Sequence, residues 1–387
     1  LIVSLLIAAS LAACSGSPGG PTQSTAIPPS PTISAAATAT DAPAAASPSD
    51  TATEPPTSAP AESSGTATIP AESAPSPVPT SPAEPTDTAA APGALPTQSS
   101  QSTPGGPIKT VFLIMMENHN WADIKDSPSA PYINTVLLPQ ASHAEQYYNP
   151  VNNHPSEPNY IWLEAGTNLG VKNDNNPSAN HQGTTDHLVT LLNDKGISWK
   201  AYQEGISGKV CPLETSSNGL YAPKHNPFVF FDDVTDGNNP NSAYCIAHER
   251  PYSELATDLQ NNSVARYNFI TPDQCDDMHN SAGCVTSDSV NNGDTWLSQE
   301  VPKILDSQAY KDGGALFITW DEGENGSDGP IGMIVLSPNA KGGGYSNAIQ
   351  YTHSATLRTM EEIFGVTPML GHAAESNDLS DLFKTFP

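Results

Sequence analysis

Six consecutive apolar residues, 111–116, run directly into Glu117-Asn118-His119-Asn120. A run this short, with Pro and Gly upstream, predicts a strand buried on both faces of a parallel sheet. Gly314–Trp320 (GALFITW) repeats the pattern and ends in Asp321-Glu322. Residues 197–202, 265–271 and 331–337 predict further strands. The second of these opens onto PDQCDDMH, a third acidic terminus that adds a histidine. Helical spacing marks 185–195 (Leu188, Leu191, Leu192, with Gly196 as a stop), 253–259, 294–306 and 354–364, the last stopped by Gly365. Residues 121–140 read as short helix and loop, 203–250 as a loop-rich excursion on the substrate side of the sheet, and 341–344 as a turn. Strands alternate with helices throughout. The predicted fold class is α/β, a mostly parallel central sheet with helices on both faces.

Composition divides the chain. Residues 15–106 are almost entirely Pro, Ala, Ser, Thr and Gly. Such a segment cannot bury enough surface to offset its chain entropy, so a disordered tether is expected there. The folded part is then 107–387, one large α/β domain. The formal charge is −27. The segment before residue 107 holds seven acids and no base, which leaves 34 acids against 14 bases and a net of −20 for the domain. That balance argues against nucleic acid and anionic membrane surfaces as partners, since both repel it. It suits a site that recruits cations, and equally a solvated acidic surface.

Residues 1–14, LIVSLLIAASLAAC, are apolar, too short to span a bilayer, and close on small residues. They lack a basic start and are expected to be the later part of a signal peptide. Leu11-Ala12-Ala13-Cys14 resembles the lipobox of bacterial lipoproteins, which implies cleavage before Cys14 and a lipid on its sulfur. The domain would then be extracytoplasmic, touching the membrane only through that lipid. Four further cysteines remain, and proximity favours the pairs Cys275–Cys284 and Cys211–Cys245. A metal site is the rival, but no C-x-x-C spacing is present.

In open α/β sheets ligands gather beyond the carboxyl ends of the strands. Those ends offer Glu117, Asn118, Asp273, Asp276, Asp277, His279, Asp321, Glu322 and His353. Glu117-Asn118 alone could merely cap a helix. Carboxylates and an amide suit Mg²⁺, Mn²⁺ or Ca²⁺, while the histidines leave Zn²⁺ and iron open. Ser156 lies between Pro155 and Pro158 at the mouth of an apolar helical start. There it could face a phosphate or oxyanion, or act as a plain N-cap. A metal beside a serine makes its hydroxyl a nucleophile, and histidines nearby can bind phosphoryl oxygens or protonate a leaving group. No G-x-S-x-G elbow surrounds Ser156, and no Walker A or dinucleotide fingerprint appears.

Eight motifs in order — ENHNWADI, HPSEPNYIWLEAGT, HNPFVFF, FITPDQCDDMH, GDTWL, ITWDEGEN, GPIGMIVLSP and YTHSATLRTMEEIFGVTP — cover nearly all of 108–387. They resemble the bacterial phosphoesterase family of phospholipases C and acid phosphatases, within the alkaline phosphatase superfamily. The resemblance implies an alkaline-phosphatase-like sheet and a Ser156 nucleophile forming a phosphoenzyme. It implies a metal held by Glu117, Asn118, Asp321 and Glu322 with Ser156 Oγ. His279 and His353 match histidines around the phosphoryl group, and His154 is a further candidate. Asp277 and Asp294 lie in matching motifs without an assignable role. Glu322 departs from the family, where Asp or His is often expected, and no histidine lies between Asp321 and His353. One divalent ion is therefore expected rather than two.

The leading expectation is a monomeric phosphomonoesterase acting on a small phosphate ester. A phospholipase C-like diesterase is the alternative and calls for an apolar cleft, to which Trp121, Trp162, Phe228, Phe230 and Phe231 could contribute, although core packing accounts for them equally well. A non-catalytic binding lipoprotein is a third reading, and it would require a broken metal or nucleophile set.

Overall fold

A computed structural model describes residues 106–279, 281–324 and 328–387. The signal peptide, lipobox and tether expected over 1–106 lie, but for Gly106, outside the described residues. Eight strands form one sheet: β1 (Thr110–Met116), β2 (Ser142–Tyr148), β3 (Trp199–Gln203), β4 (Glu249–Pro251), β5 (Tyr267–Thr271), β6 (Gly314–Trp320), β7 (Met333–Leu336) and β8 (Tyr345–Thr352). Their order is β4-β3-β5-β1-β6-β7-β2-β8. Every pairing is parallel except the two made by β7, which runs against both β6 and β2.

β1 and β6 are the buried centre. Six of the seven residues of β1 and all seven of β6 are buried, as their unbroken apolar runs require for strands covered on both faces. They pair in register from Thr110–Gly314 to Met116–Trp320, so Glu117 and Asp321 emerge side by side at the same end. Residue parity shows which helix covers which face. Phe269, paired with Leu113, packs against Tyr160 of the Ser156–Ala165 helix. Met116, of opposite parity, lies against Gly293 of the Ser289–Asp306 helix. The two helices therefore lie on opposite faces. The His353–Phe364 and Leu188–Asp194 helices pack with the first of them.

The predicted strands and helices are present, with ends shifted by a few residues. β2, β4 and β8 were not predicted. β2 (SHAEQYY) mixes polar with apolar residues, and β8 (YSNAIQYT) is an edge strand facing water for much of its length, so neither carries an apolar run. Both expected disulfides are formed, Cys211–Cys245 and Cys275–Cys284, with Cα–Cα separations of 5.4 and 5.2 Å. Among the described residues no helix is long and apolar enough to cross a membrane.

Candidate active site

Five segments converge at the carboxyl ends of β1, β5 and β6. The ends of β1 and β6 supply Glu117 and Asp321. The loop after β5 supplies Asp277 and His279. The excursion before β4 supplies Lys224 and His225, and the start of the Ser156–Ala165 helix supplies Ser156 and Tyr160. Two non-glycine residues here adopt positive φ, Asn118 (54°) and Met278 (81°), a costly backbone state that tends to collect at functional sites. Met278 is pressed onto Gly293, where a Cβ would collide with its side chain. That close approach seats the Asp277–His279 turn, and the Glu117 N–H ties it to β1 by donating to the Asp277 carbonyl at 2.7 Å.

Glu117 is fully buried. Its Oε1 accepts a hydrogen bond from the Tyr160 hydroxyl, and its Oε2 accepts one from Ser156 Oγ at 3.2 Å. Ser156 is itself buried and opens a ten-residue helix. Asp321 Oδ1 accepts from the backbone N–H of Asn118 (3.0 Å) and of Glu322 (2.7 Å). Glu322 Oε2 lies 2.6 Å from His154 Nδ1 and accepts from Asn159 Nδ2 at 2.9 Å. The other nitrogen of His154, Nε2, lies 2.9 Å from Asp328. His353 is also buried, but both its nitrogens are engaged. Nε2 meets the Asp321 carbonyl at 2.6 Å and Nδ1 meets the Tyr147 hydroxyl at 3.1 Å.

The structure thus brings Glu117, Ser156 and Asp321 together. Asn118 joins them through its backbone N–H, and Glu322 and His154 form an adjoining pair. Asp294 stands apart, accepting from the N–H groups of Tyr132 and Ile133. Of the remaining acids, Asp273 and Asp276 group instead with Glu204.

Lys224, His225, Tyr160 and Asp174 were not singled out from the sequence. His225 stacks on Tyr160 with ring centroids 5.4 Å apart and approaches Glu117 Oε2 (3.2 Å) and Asp277 Oδ2 (3.3 Å). Lys224 Nζ lies 3.2 Å from Asp174 Oδ2 and 3.2 Å from His279 Nε2. Asp174 Oδ1 accepts the N–H of Glu157 at 3.0 Å, which joins the lysine to the first turn of the Ser156 helix. The signal available was a Lys-His pair heading the HNPFVFF motif in a chain poor in bases.

The electrostatics are those of excess buried negative charge. Burial pushes the Glu117 carboxyl up to about 7, against the opposing pull of the Lys224 ammonium and the Tyr160 hydroxyl. Burial and the neighbouring Glu117 drive Asp321 and Asp277 well above the usual carboxylate range. Glu322 reaches about 9 through burial and Asp321. Burial lowers both His279, to about 3, and His353, to about 4. Among the described residues, buried Asp277 Oδ2, Asp321 Oδ2, His225 Nε2 and His279 Nδ1 have no hydrogen-bond partner. Orphaned buried polar atoms are costly, and a bound cation would answer the excess charge and the orphaned Asp277 and Asp321 oxygens. Glu117, His225 and His279 each offer a donor atom, all within 4.8 Å of one another. The buried carboxylates of Glu117 and Asp321 therefore fit a divalent ion.

The model of the Phosphoesterase family matches residues 130–367, a span that begins after Glu117. A phosphatidylinositol-3-phosphatase of Mycobacterium tuberculosis is 28% identical over 295 residues, 75% of this chain and 88% of its own. A probable acid phosphatase of Kluyveromyces lactis is 24% identical over 71% of this chain, which spans 62% of that protein. Among solved structures, a Vibrio parahaemolyticus protein of the alkaline phosphatase superfamily is similar at 10% identity and a TM-score of 0.46, over 71% of each chain.

Proposed function

The chain belongs to the Phosphoesterase family and is a phosphoester hydrolase, and from that premise we propose that it is a metal-dependent phosphomonoesterase acting through Ser156. The carrying observation is the placement of Ser156 Oγ, buried in the first turn of a helix and donating to Glu117 Oε2 at 3.2 Å. The hydrogen bond to Glu117 aims Oγ, which gives up its proton to water as it attacks phosphorus, and the helix N-terminus favours the developing negative charge. The Oγ–P bond forms, the ester P–O bond breaks, and the leaving oxygen takes a proton from water to depart as the alcohol. Water then attacks the phosphoserine, releasing phosphate and restoring the hydroxyl.

Glu117 and Asp321, with Ser156 Oγ, Asn118 and Glu322, are the residues proposed to hold one divalent ion. Bound there, the ion would lower the serine pKa and neutralise phosphoryl charge. Lys224 adds a fixed positive charge. His353, both of whose nitrogens are occupied, acts by holding the Asp321 backbone in place. His154 keeps Glu322 oriented and anchors Asp328.

The monoester reading rests on two supports. The relatives carry phosphatase names. Of the aromatics considered for an apolar diester cleft, Trp121, Phe228, Phe230 and Phe231 are buried core. We extend the proposal to a lipid on Cys14 tethering the catalytic domain outside the cytoplasm, a setting compatible with its two disulfides. Acid quenching during turnover of a phosphate monoester, followed by peptide mass analysis, should recover phosphorylated Ser156. Phosphate on another residue would remove the nucleophile assignment.

A further inference from the structure

Lys224 determines what His279 can do. A lysine ammonium has three donors and no acceptor. Its Nζ stands 3.2 Å from His279 Nε2, so that nitrogen must be the acceptor and its lone pair is spent. The lysine is fixed in its charged form by what faces it. Asp174 Oδ2 lies 3.2 Å from Nζ. In a neutral imidazole an accepting Nε2 places the proton on Nδ1. His279 Nδ1 is buried and has no partner among the described residues.

We propose that Lys224 is a positioning residue that locks His279 as its Nδ1–H tautomer. His279 then donates a hydrogen bond to an oxygen of the phosphate ester and does not ligate a cation. Neither nitrogen can bind a metal while the lysine is in place: Nε2 has no free lone pair, and Nδ1 holds a proton. A metal on Nδ1 would require a proton on Nε2, donor facing donor. This removes one member from the converging Glu117–His225–His279 set. It also explains why a lysine shares a site crowded with histidine. The tautomer follows from the Lys224 contact alone, whereas the role toward a phosphoryl oxygen rests on the phosphomonoesterase reading.

The test is ¹⁵N imidazole NMR on the full chain labelled at histidine, with His279→Gln to assign the resonance. The expected wild-type signature is a protonated Nδ1 and an acceptor Nε2, unchanged when Zn²⁺ is added. Lys224→Met should move His279 toward the Nε2–H form that imidazoles ordinarily prefer, and Lys224→Arg, which still donates, should keep Nδ1–H. A proton on Nε2 in the wild type, or loss of the Nδ1 proton on Zn²⁺ addition, overturns the proposal without reference to any variant. An unchanged tautomer in folded Lys224→Met also overturns it. Turnover of p-nitrophenyl phosphate by the same samples is read separately. Its absence would count against the phosphomonoesterase reading and leave the tautomer result standing.

Discussion

Tyr160→Phe isolates one hydrogen bond at the centre of the site. The substitution keeps the ring, its stack on His225 and its contact with Phe269, and removes only the hydroxyl that donates to Glu117 Oε1. Both partners are fully buried, so water cannot replace the lost donor. A hydrogen bond to a charged group in such a place contributes about 1.5–3 kcal/mol, roughly ten- to a hundredfold in an equilibrium constant. If Glu117 holds the cation, affinity for Mn²⁺ should fall by about that factor, as it does when a hydrogen-bond partner of a metal ligand is removed. The loss should also depend on pH. The Tyr160 hydroxyl is one of the groups that keep Glu117 from rising above about 7, so removing it raises that carboxyl further. Protons then compete better with the cation, and the deficit is largest below pH 7 and narrows as pH rises. The assay is calorimetric titration of the chelator-treated full chain with Mn²⁺ at pH 6 and pH 8.5, beside a thermal melt to confirm folding. Equal affinities for wild type and variant at both pH values would refute the placement of the cation on Glu117.

Three further outcomes follow from other parts of the fold. Buried Glu249, pushed up to about 8 by burial, keeps a proton that the unfolded chain releases near its ordinary 4.5. Its contribution is therefore full below about pH 4.5 and is lost as pH rises toward 8. Urea denaturation should show Glu249→Gln gaining roughly 3–5 kcal/mol over wild type between pH 5 and pH 8, and parallel stability curves would contradict this. Replacing Cys275 and Cys284 together by serine opens the short loop beside Asp276–His279 and should cost roughly 3 kcal/mol of stability, read from the same urea curves. Tyr147→Phe leaves buried His353 Nδ1 without its partner and should cost about 1–3 kcal/mol, with a melt superimposable on wild type as the contrary result.

The parts of the site legible in the sequence are those carried by regular elements. Apolar runs end at Glu117 and Asp321, and a parallel pairing of two such runs sets the acids side by side without further information. Ser156 was legible because paired prolines mark a helix mouth. Lys224 and His225 come from a stretch without periodicity, and no local rule says that a 3-10 turn at Pro223–His225 folds back over β1 and β5. Tyr160 reads as one more apolar helix residue until tertiary packing points its hydroxyl at Glu117. His353 shows the converse. Its motif was visible, but only the structure reveals that Asp321 and Tyr147 occupy both of its nitrogens. β8 escaped notice because an edge strand exposed to water need not be apolar, although it aligns with β2 over most of its length.

Metal-dependent attack by Ser156 on a phosphate monoester can be tested in a single assay. The assay is turnover of p-nitrophenyl phosphate by the full chain and by Ser156→Ala, each before and after chelation and with Mg²⁺, Mn²⁺, Ca²⁺ or Zn²⁺ restored. Turnover is expected from the wild type alone, abolished by chelation and recovered with at least one of these ions. Undiminished turnover by Ser156→Ala, or by the chelated wild type, would contradict it.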